Sequence, residues 1–314
     1  MVEEHVKRCE NASRWAGPFT TTGGVMTRAA AKTGSGPTAM VAIEQHFPKD
    51  RRIVVDDLAY RILPRGMRSY VRLMRLDLAR DWMVRASEKS LPGIWAGMMC
   101  RKRYIDEKLI ESVGHVDAVV NLGAGFDTRV YRLPALAAVP VWEVDQRENV
   151  EPKRARLRKL LGAIPPHVAL VPIDFDREEL GAVLAAHGYS AKERTFFVWE
   201  AVTQYLTEAG IGATFDFLTT AAPGCRLAFT YVRKDFLDGQ VMYGGKAIYR
   251  RYVVRDKLWL FGMAPEDVEN FLGAYGWSVV EHLGYEELAE RYVEPTGREL
   301  ASSPIERIVY AEKL

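Results

Sequence analysis

Apolar residues change their spacing once along this chain, near residue 110. Between about 38 and 110 they recur at helical intervals, with Ala39, Ile43 and Phe47, then Leu73, Leu76, Leu78 and Trp82, as core candidates. Pro48, Pro64 and Pro92 interrupt that periodicity, because proline lacks the N–H that a helix interior needs. The segment predicts a helical module without a strand. From Ala118 onward, short apolar runs at 118–122, 139–144, 168–173, 195–199 and 226–232 alternate with helical stretches. Such alternation predicts an α/β domain whose mostly parallel sheet is covered by helices on both faces. Runs at 277–282 and 307–311 predict two C-terminal strands in a hairpin-like edge, bringing the sheet to seven. The stretch 233–264, with Tyr243-Gly244-Gly245 and Arg250-Arg251-Tyr252, reads as an insertion over one end of the sheet.

The ends of these runs carry the chemistry. The first stops at Gly123-Ala124-Gly125, and Asp127-Thr128 then open a helix. Glycine tolerates positive φ and has no Cβ to hold a ligand away, while a helix N-terminus presents free N–H groups. Position 128, where a dinucleotide fingerprint wants its third glycine, is Thr128. Twenty residues past Gly125, Asp145 closes the second run, a place suited to ribose hydroxyls. Asp174 follows the third run and Glu200 the fourth, so a carboxylate stands at each of three successive strand ends. One could accept the adenine amine with Phe175 against the ring, the other an amine-bearing part of a nucleoside cofactor.

Composition narrows the class. At 314 residues, with 27% charged and 48% apolar residues and a net charge of +2, the chain is an ordinary globular protein. Neither nucleic acid nor a membrane is an expected partner. Cys9, Cys100 and Cys225 are too few and scattered for a disulfide framework or zinc site, which points to a reducing, cytoplasmic setting. The first 37 residues, rich in small and polar types, read as a mobile arm. The expected organisation is an arm at 1–37, a helical lid and substrate module at 38–110, and a cofactor-binding domain at 111–314.

Read in order, CRKRYID with Arg101, NLGAGFDTRVYRL, EVDQ with Lys153 downstream, PIDFD and WEAVTQYLT resemble the signature series of the leucine carboxyl methyltransferase family. The resemblance covers about residues 38 to 314. It implies a Rossmann-like class I methyltransferase fold and S-adenosyl-L-methionine as cofactor. By position it implies that Arg101 binds the methionine carboxylate and that Gly123, Ala124 and Gly125 admit the cofactor to bare backbone. Asp145 would then take the ribose, Asp174 and Phe175 the adenine, and Glu200 the amino group. Bacterial members of the family tied to secondary metabolism make a small, possibly carrier-bound acceptor the expected partner. Where the family commonly has Glu-Gly, this chain has Glu200-Ala201, which narrows the acceptor side.

No histidine or lysine accompanies the strand-end acids as an evident base, so the expected acceptor is a carboxylate, already ionised near neutral pH, and the product a methyl ester. Tyr205 and Arg103 are the candidates for positioning it. The alternatives are a hydroxyl acceptor on a natural product and, in another class, an NAD(P)-dependent oxidoreductase. Two basic series read mainly as solvated faces: Arg61, Arg65, Arg68, Arg72 and Arg75, and, after the second strand, Lys153, Arg154, Arg156, Arg158 and Lys159. The sharper reading of the first is a landing surface for an acidic substrate or its carrier.

Overall fold

The computed structural model describes residues 35–175, 177–300 and 304–314. The expected arm lies outside these residues except for 35–37, which belong to the first helix. The helical module comprises α1 (Ser35–Glu44), α2 (Ala59–Ile62), α3 (Arg65–Leu73), α4 (Asp77–Ser90) and α5 (Ile94–Ser112). Its breaks fall at the three prolines. Pro48 follows α1, Pro64 caps α3 in extended conformation, and Pro92 lies between α4 and α5.

Ala39, Ile43 and Phe47 are core residues as expected, but Leu73, Leu76, Leu78 and Trp82 are exposed. The reason lies in which face turns inward. Val71 and Met74 are buried at the end of α3, and Arg80 and Val84, four apart, take the inner face of α4. Arg80 donates to the carbonyl of His46 at 3.0 Å and lies 4.2 Å over the Phe47 ring. An arginine there sends Trp82 to the opposite side.

The sheet contains β1 (Ala118–Leu122), β2 (Val141–Asp145), β3 (Val168–Pro172), β4 (Thr195–Trp199), β5 (Arg226–Val232), β6 (Trp277–Leu283) and β7 (Glu306–Lys313). Their order is β3-β2-β1-β4-β5-β7-β6, with β1 to β5 parallel and β7 antiparallel to both neighbours. Every residue of β1, β2 and β4 is buried, as a parallel sheet covered on both faces requires. Val119, Phe196 and Val198 pack on one face with Trp95 and Tyr104 of α5, while Val120, Phe197 and Trp199 pack into the core of the other. The C-terminal strands pair, but β7 rather than β6 joins β5, so the hairpin-like edge becomes one interior strand and one edge strand. A helix at Tyr285–Tyr292 lies in the connection.

The chain runs outward from β1 to β2 and β3, then returns to β4 on the other side of β1. That reversal opens a crevice at the C-terminal ends of β1 and β4, where open α/β sheets bind their ligands. The helical module and the 233–264 segment, which holds a π-helical turn at Tyr249–Arg255, supply walls above it.

Candidate active site

The glycine turn has a stereochemical cause. Gly123 has φ 70° and Gly125 φ 43°, and the N–H of Gly123 donates to Val144 O at 2.8 Å. A Cβ on Gly123 would stand 2.3 Å from Cγ2 of Val202. At Gly125 the nearest atom to such a Cβ is a backbone oxygen 4.0 Å away, so the backbone is bare on that side. Asp145, the last residue of β2, locks the turn. Its Oδ2 accepts from the N–H of Gly125 at 2.6 Å, and its Oδ1 from the N–H of Gln146 and the amide of Asn149 at 2.7 and 2.9 Å. Burial pushes its pKa up, against the lowering effect of these hydrogen bonds.

Beside the turn lies a buried charge cluster. Glu200, just past β4, accepts from Arg101 Nε at 3.0 Å and Arg129 Nη2 at 2.5 Å, with Lys102 Nζ at 3.7 Å. Arg129 also meets Asp127 at 3.1 Å and Asp106 at 3.3 Å. Burial alone would raise the Glu200 carboxyl, but Lys102, Arg129 and Arg101 hold it down at about 2. The second partner of Arg101 is Glu306 on β7, which also accepts from Thr230 Oγ1 at 2.9 Å. Ala201 follows with φ 57°, a left-handed conformation costly for any residue with a Cβ, and its N–H donates to Thr230 Oγ1 at 2.8 Å.

These groups form the polar end of a cavity of about 580 Å³. Its other end is apolar, with Met40, Ile43, Met67 and Met83 from the helical module and Ile248 and Trp259 from the 233–264 segment. Trp259 Nε1 and Tyr285 Oη are buried without a hydrogen-bond partner among the described residues, and both residues line the cavity. No described histidine does.

Seven of the ten sequence candidates meet here: Arg101, Gly123, Ala124, Gly125, Asp145, Glu200 and Tyr205, the last on the 3-10 turn Thr203–Tyr205. Three do not. Arg103 lies two residues beyond Arg101, about 200° around α5. It pairs with Glu107 at 3.0 Å and stacks 4.9 Å over the Tyr292 ring, in a separate surface depression. Asp174 is half exposed and lies 3.8 Å from Arg177, and Phe175 packs against the core on the opposite face. Lys153 is buried rather than solvated. Asn149, Val150, Lys153 and Leu157 form the inner stripe of the helix Arg147–Leu161, and Lys153 Nζ lies 2.9 Å from Glu143. The sequence reading missed Lys102, Arg129, Glu306, Trp259 and Tyr285. Lys102 and Arg129 carried a signal, since they stand in the blocks of Arg101 and of the glycines.

The chain is similar to several known proteins. A protein of Mycobacterium avium (strain 104), named for S-adenosyl-L-methionine-dependent methyl transfer, is 32% identical over 204 residues, covering 64% of this chain and 67% of its own. A similarly named protein of Mycolicibacterium smegmatis is 26% identical over 261 residues, 80% of this chain and 83% of its own. Among solved structures, a DUF574 family protein from Streptomyces avermitilis shares the fold with a TM-score of 0.52 at 16% identity, covering 73% of this chain and 88% of that one. A structure from Thermobifida fusca, described as a methyltransferase, gives 0.51 at 17% identity, with 75% and 88% covered. The family model described as leucine carboxyl methyltransferase matches residues 35–219, the span that holds the helical module, the glycine turn, Asp145 and Glu200. With that match over more than half of its length, the chain belongs to the leucine carboxyl methyltransferase family of S-adenosylmethionine-dependent methyltransferases.

Proposed function

We propose that the enzyme methylates the carboxylate of an apolar small molecule, with the cofactor at the strand-end wall of the cavity and the acceptor at the helical wall. When bound, the cofactor supplies an electrophilic methyl group on a sulfonium. Two observations fit it to these residues: the bare backbone at Gly125, and an arginine beside a carboxylate, Arg101 and Glu200, matching the two charges of an amino acid. Arg101 would take the methionine carboxylate in place of Glu306, Glu200 the amino group, and Asp145 the ribose. Gly123, Ala124 and Gly125 give close backbone approach. Asp174 and Phe175 stand off the cavity wall and have no part in this assignment.

One observation carries the choice of a carboxylate: among the described residues, every carboxylate on the cavity wall is already engaged by hydrogen-bond or cationic partners. Asp145 holds three hydrogen bonds, Asp127 and Glu200 are held by Arg129 and Lys102, and Glu306 by Arg101 and Thr230. An acceptor that arrives ionised needs no base. The buried donors Trp259 Nε1 and Tyr285 Oη, with Tyr205, would orient its oxygens, and the methionine-lined end would enclose its body. The chain's remaining task is to align the two partners and exclude water.

Glu306 favours a second reading. Its side chain is the most exposed of the four, at 26%, so a hydroxyl acceptor with Glu306 as base is the competing chemistry. The pH dependence of the rate, measured for the wild type and Glu306→Gln, separates the two. For a carboxylate, the rate stays nearly flat between about pH 6 and 9, and the variant keeps that profile. A rate rising with pH, lost in the variant while S-adenosylhomocysteine still binds, would establish the hydroxyl.

A further inference from the structure

The helical module carries a surface that methyl transfer leaves unused. Leu73, Leu76, Leu78 and Trp82, within ten residues of one another, are 54, 62, 89 and 71% exposed. Single exposed leucines are ordinary, but a concentration of large apolar groups marks a contact surface. On α4 the outward face runs Leu78, Trp82, Arg85, Lys89, at helical spacings of four, three and four. Between Arg61 and Lys89 stand eight Lys and Arg against three Asp and Glu, in a chain whose net charge is only +2. The three acids are already engaged. Asp77 and Asp81 flank Arg80 at 2.9 and 3.7 Å, and Glu88 accepts from the N–H groups of Gly93 and Trp95. Among the described residues Arg61, Arg65, Arg72, Arg75 and Arg85 therefore meet no carboxylate.

This surface is continuous with the cavity. Met67 and Tyr70 of α3 and Met83 of α4 line it, and they alternate along the chain with the exposed arginines and leucines. We infer that the α3–α4 face docks the enzyme on an anionic lipid surface, its arginines against phosphate headgroups and Leu78 and Trp82 inserted between them. Among the described residues no helix is long and apolar enough to cross a membrane, so the contact is peripheral. It departs from the sequence expectation of no membrane partner, because hydropathy finds spanning segments and passes over an interfacial face. An acidic carrier protein would match the arginines but gives no reason for Leu78 and Trp82 to protrude. Docking stands on the surface alone, while entry of an apolar acceptor from the lipid into the cavity rests on the function proposed above.

The test uses the full chain and no acceptor, so its outcome is independent of the acceptor chemistry. Binding is measured by co-sedimentation with vesicles of phosphatidylcholine alone and of phosphatidylcholine mixed with phosphatidylglycerol. The protein should bind the mixed vesicles. Binding should weaken at least tenfold for Leu78→Ser with Trp82→Ser, for Arg65→Glu with Arg72→Glu, and at high salt. S-adenosylhomocysteine affinity should stay unchanged in every variant, because none of the four residues lines the cavity. Failure to bind mixed vesicles, or binding indifferent to both double variants, overturns the inference. So does protection of the Leu78 and Trp82 side chains from hydroxyl-radical footprinting in the lipid-free protein, which would mean that another segment of the chain or a second copy already covers the face. Arginine-dependent capture of an acidic carrier protein without vesicle binding would assign the surface to the carrier instead.

Discussion

Gly123→Ala tests the stereochemistry of the cofactor turn directly. At φ 70° a residue with a Cβ costs roughly 1–2 kcal/mol more than glycine. The new Cβ would also lie 2.3 Å from Val202 Cγ2 and 3.1 Å from its Cγ1. Carbon atoms settle at about 3.5–4.0 Å, so the strand-end turn or Val202 must move. Val202 adjoins the 3-10 turn that carries Tyr205, and overpacking of this kind costs about 1–3 kcal/mol. The variant should lose about 2–5 kcal/mol of unfolding free energy in all. Val202→Ala removes the clashing methyls at a cost of its own of about 1 kcal/mol. In a double-mutant cycle the pair should be more stable than the sum of the singles by roughly 1–3 kcal/mol, leaving the φ penalty and a 3.3 Å contact with the Cβ that remains at position 202. Urea unfolding followed by tryptophan fluorescence measures all four proteins. An additive cycle refutes the clash, and a loss below about 1 kcal/mol in Gly123→Ala refutes the backbone argument as well.

Arg129→Met leaves Asp106, Asp127 and Glu200 buried around an apolar side chain and should destabilise the fold by about 3–5 kcal/mol, as read by denaturant titration. Because the Glu200 carboxyl is held down at about 2, its contribution is fully present above its ordinary value near 4.5 and lost as pH falls from there toward 2. The stability gap between wild type and Glu200→Gln should accordingly close over that window in urea titrations at stepped pH. Asp145→Ala and Arg101→Ala should each weaken S-adenosylhomocysteine binding about tenfold or more by calorimetry, each losing a charge-assisted hydrogen bond worth ~1.5–3 kcal/mol. Tyr205→Phe should slow transfer without abolishing it, since a positioning contact is lost and no base removed; complete loss of turnover would make Tyr205 indispensable to the chemistry.

What the sequence disclosed follows from what periodicity can carry. Strands buried on both faces are plain apolar runs, so β1 to β5, the glycine turn, Asp145 and Glu200 were legible to within a residue or two, and β6 and β7 were found at the same precision although β6 is an edge strand with only Trp277 buried. Which face of a helix turns inward is harder to read when a charged residue is the buried one. Arg80 and Lys153 both occupy inner faces, and each misled the reading of its helix, leaving Trp82 assigned to the core and Lys153 to solvent. Arg103 was avoidable: two residues apart on a helix, Arg101 and Arg103 cannot face one cavity. Asp174 stands at a strand end as read, yet its side chain follows the turn toward Arg177, a local choice no strand pattern encodes. Glu306, Trp259 and Tyr285 come from elements more than fifty residues beyond Glu200, and only the folded chain brings them to the cavity.

Transfer of a tritiated methyl group from S-adenosylmethionine to a panel of apolar carboxylic acids, with the product then treated with base, tests the central claim most directly. A methyl ester releases its label as volatile methanol. The structure-based assignment predicts label that becomes volatile after base for at least one apolar acid, and its disappearance in Asp145→Ala. Label that enters a product but resists base, as in an ether or an N-methyl group, would contradict it.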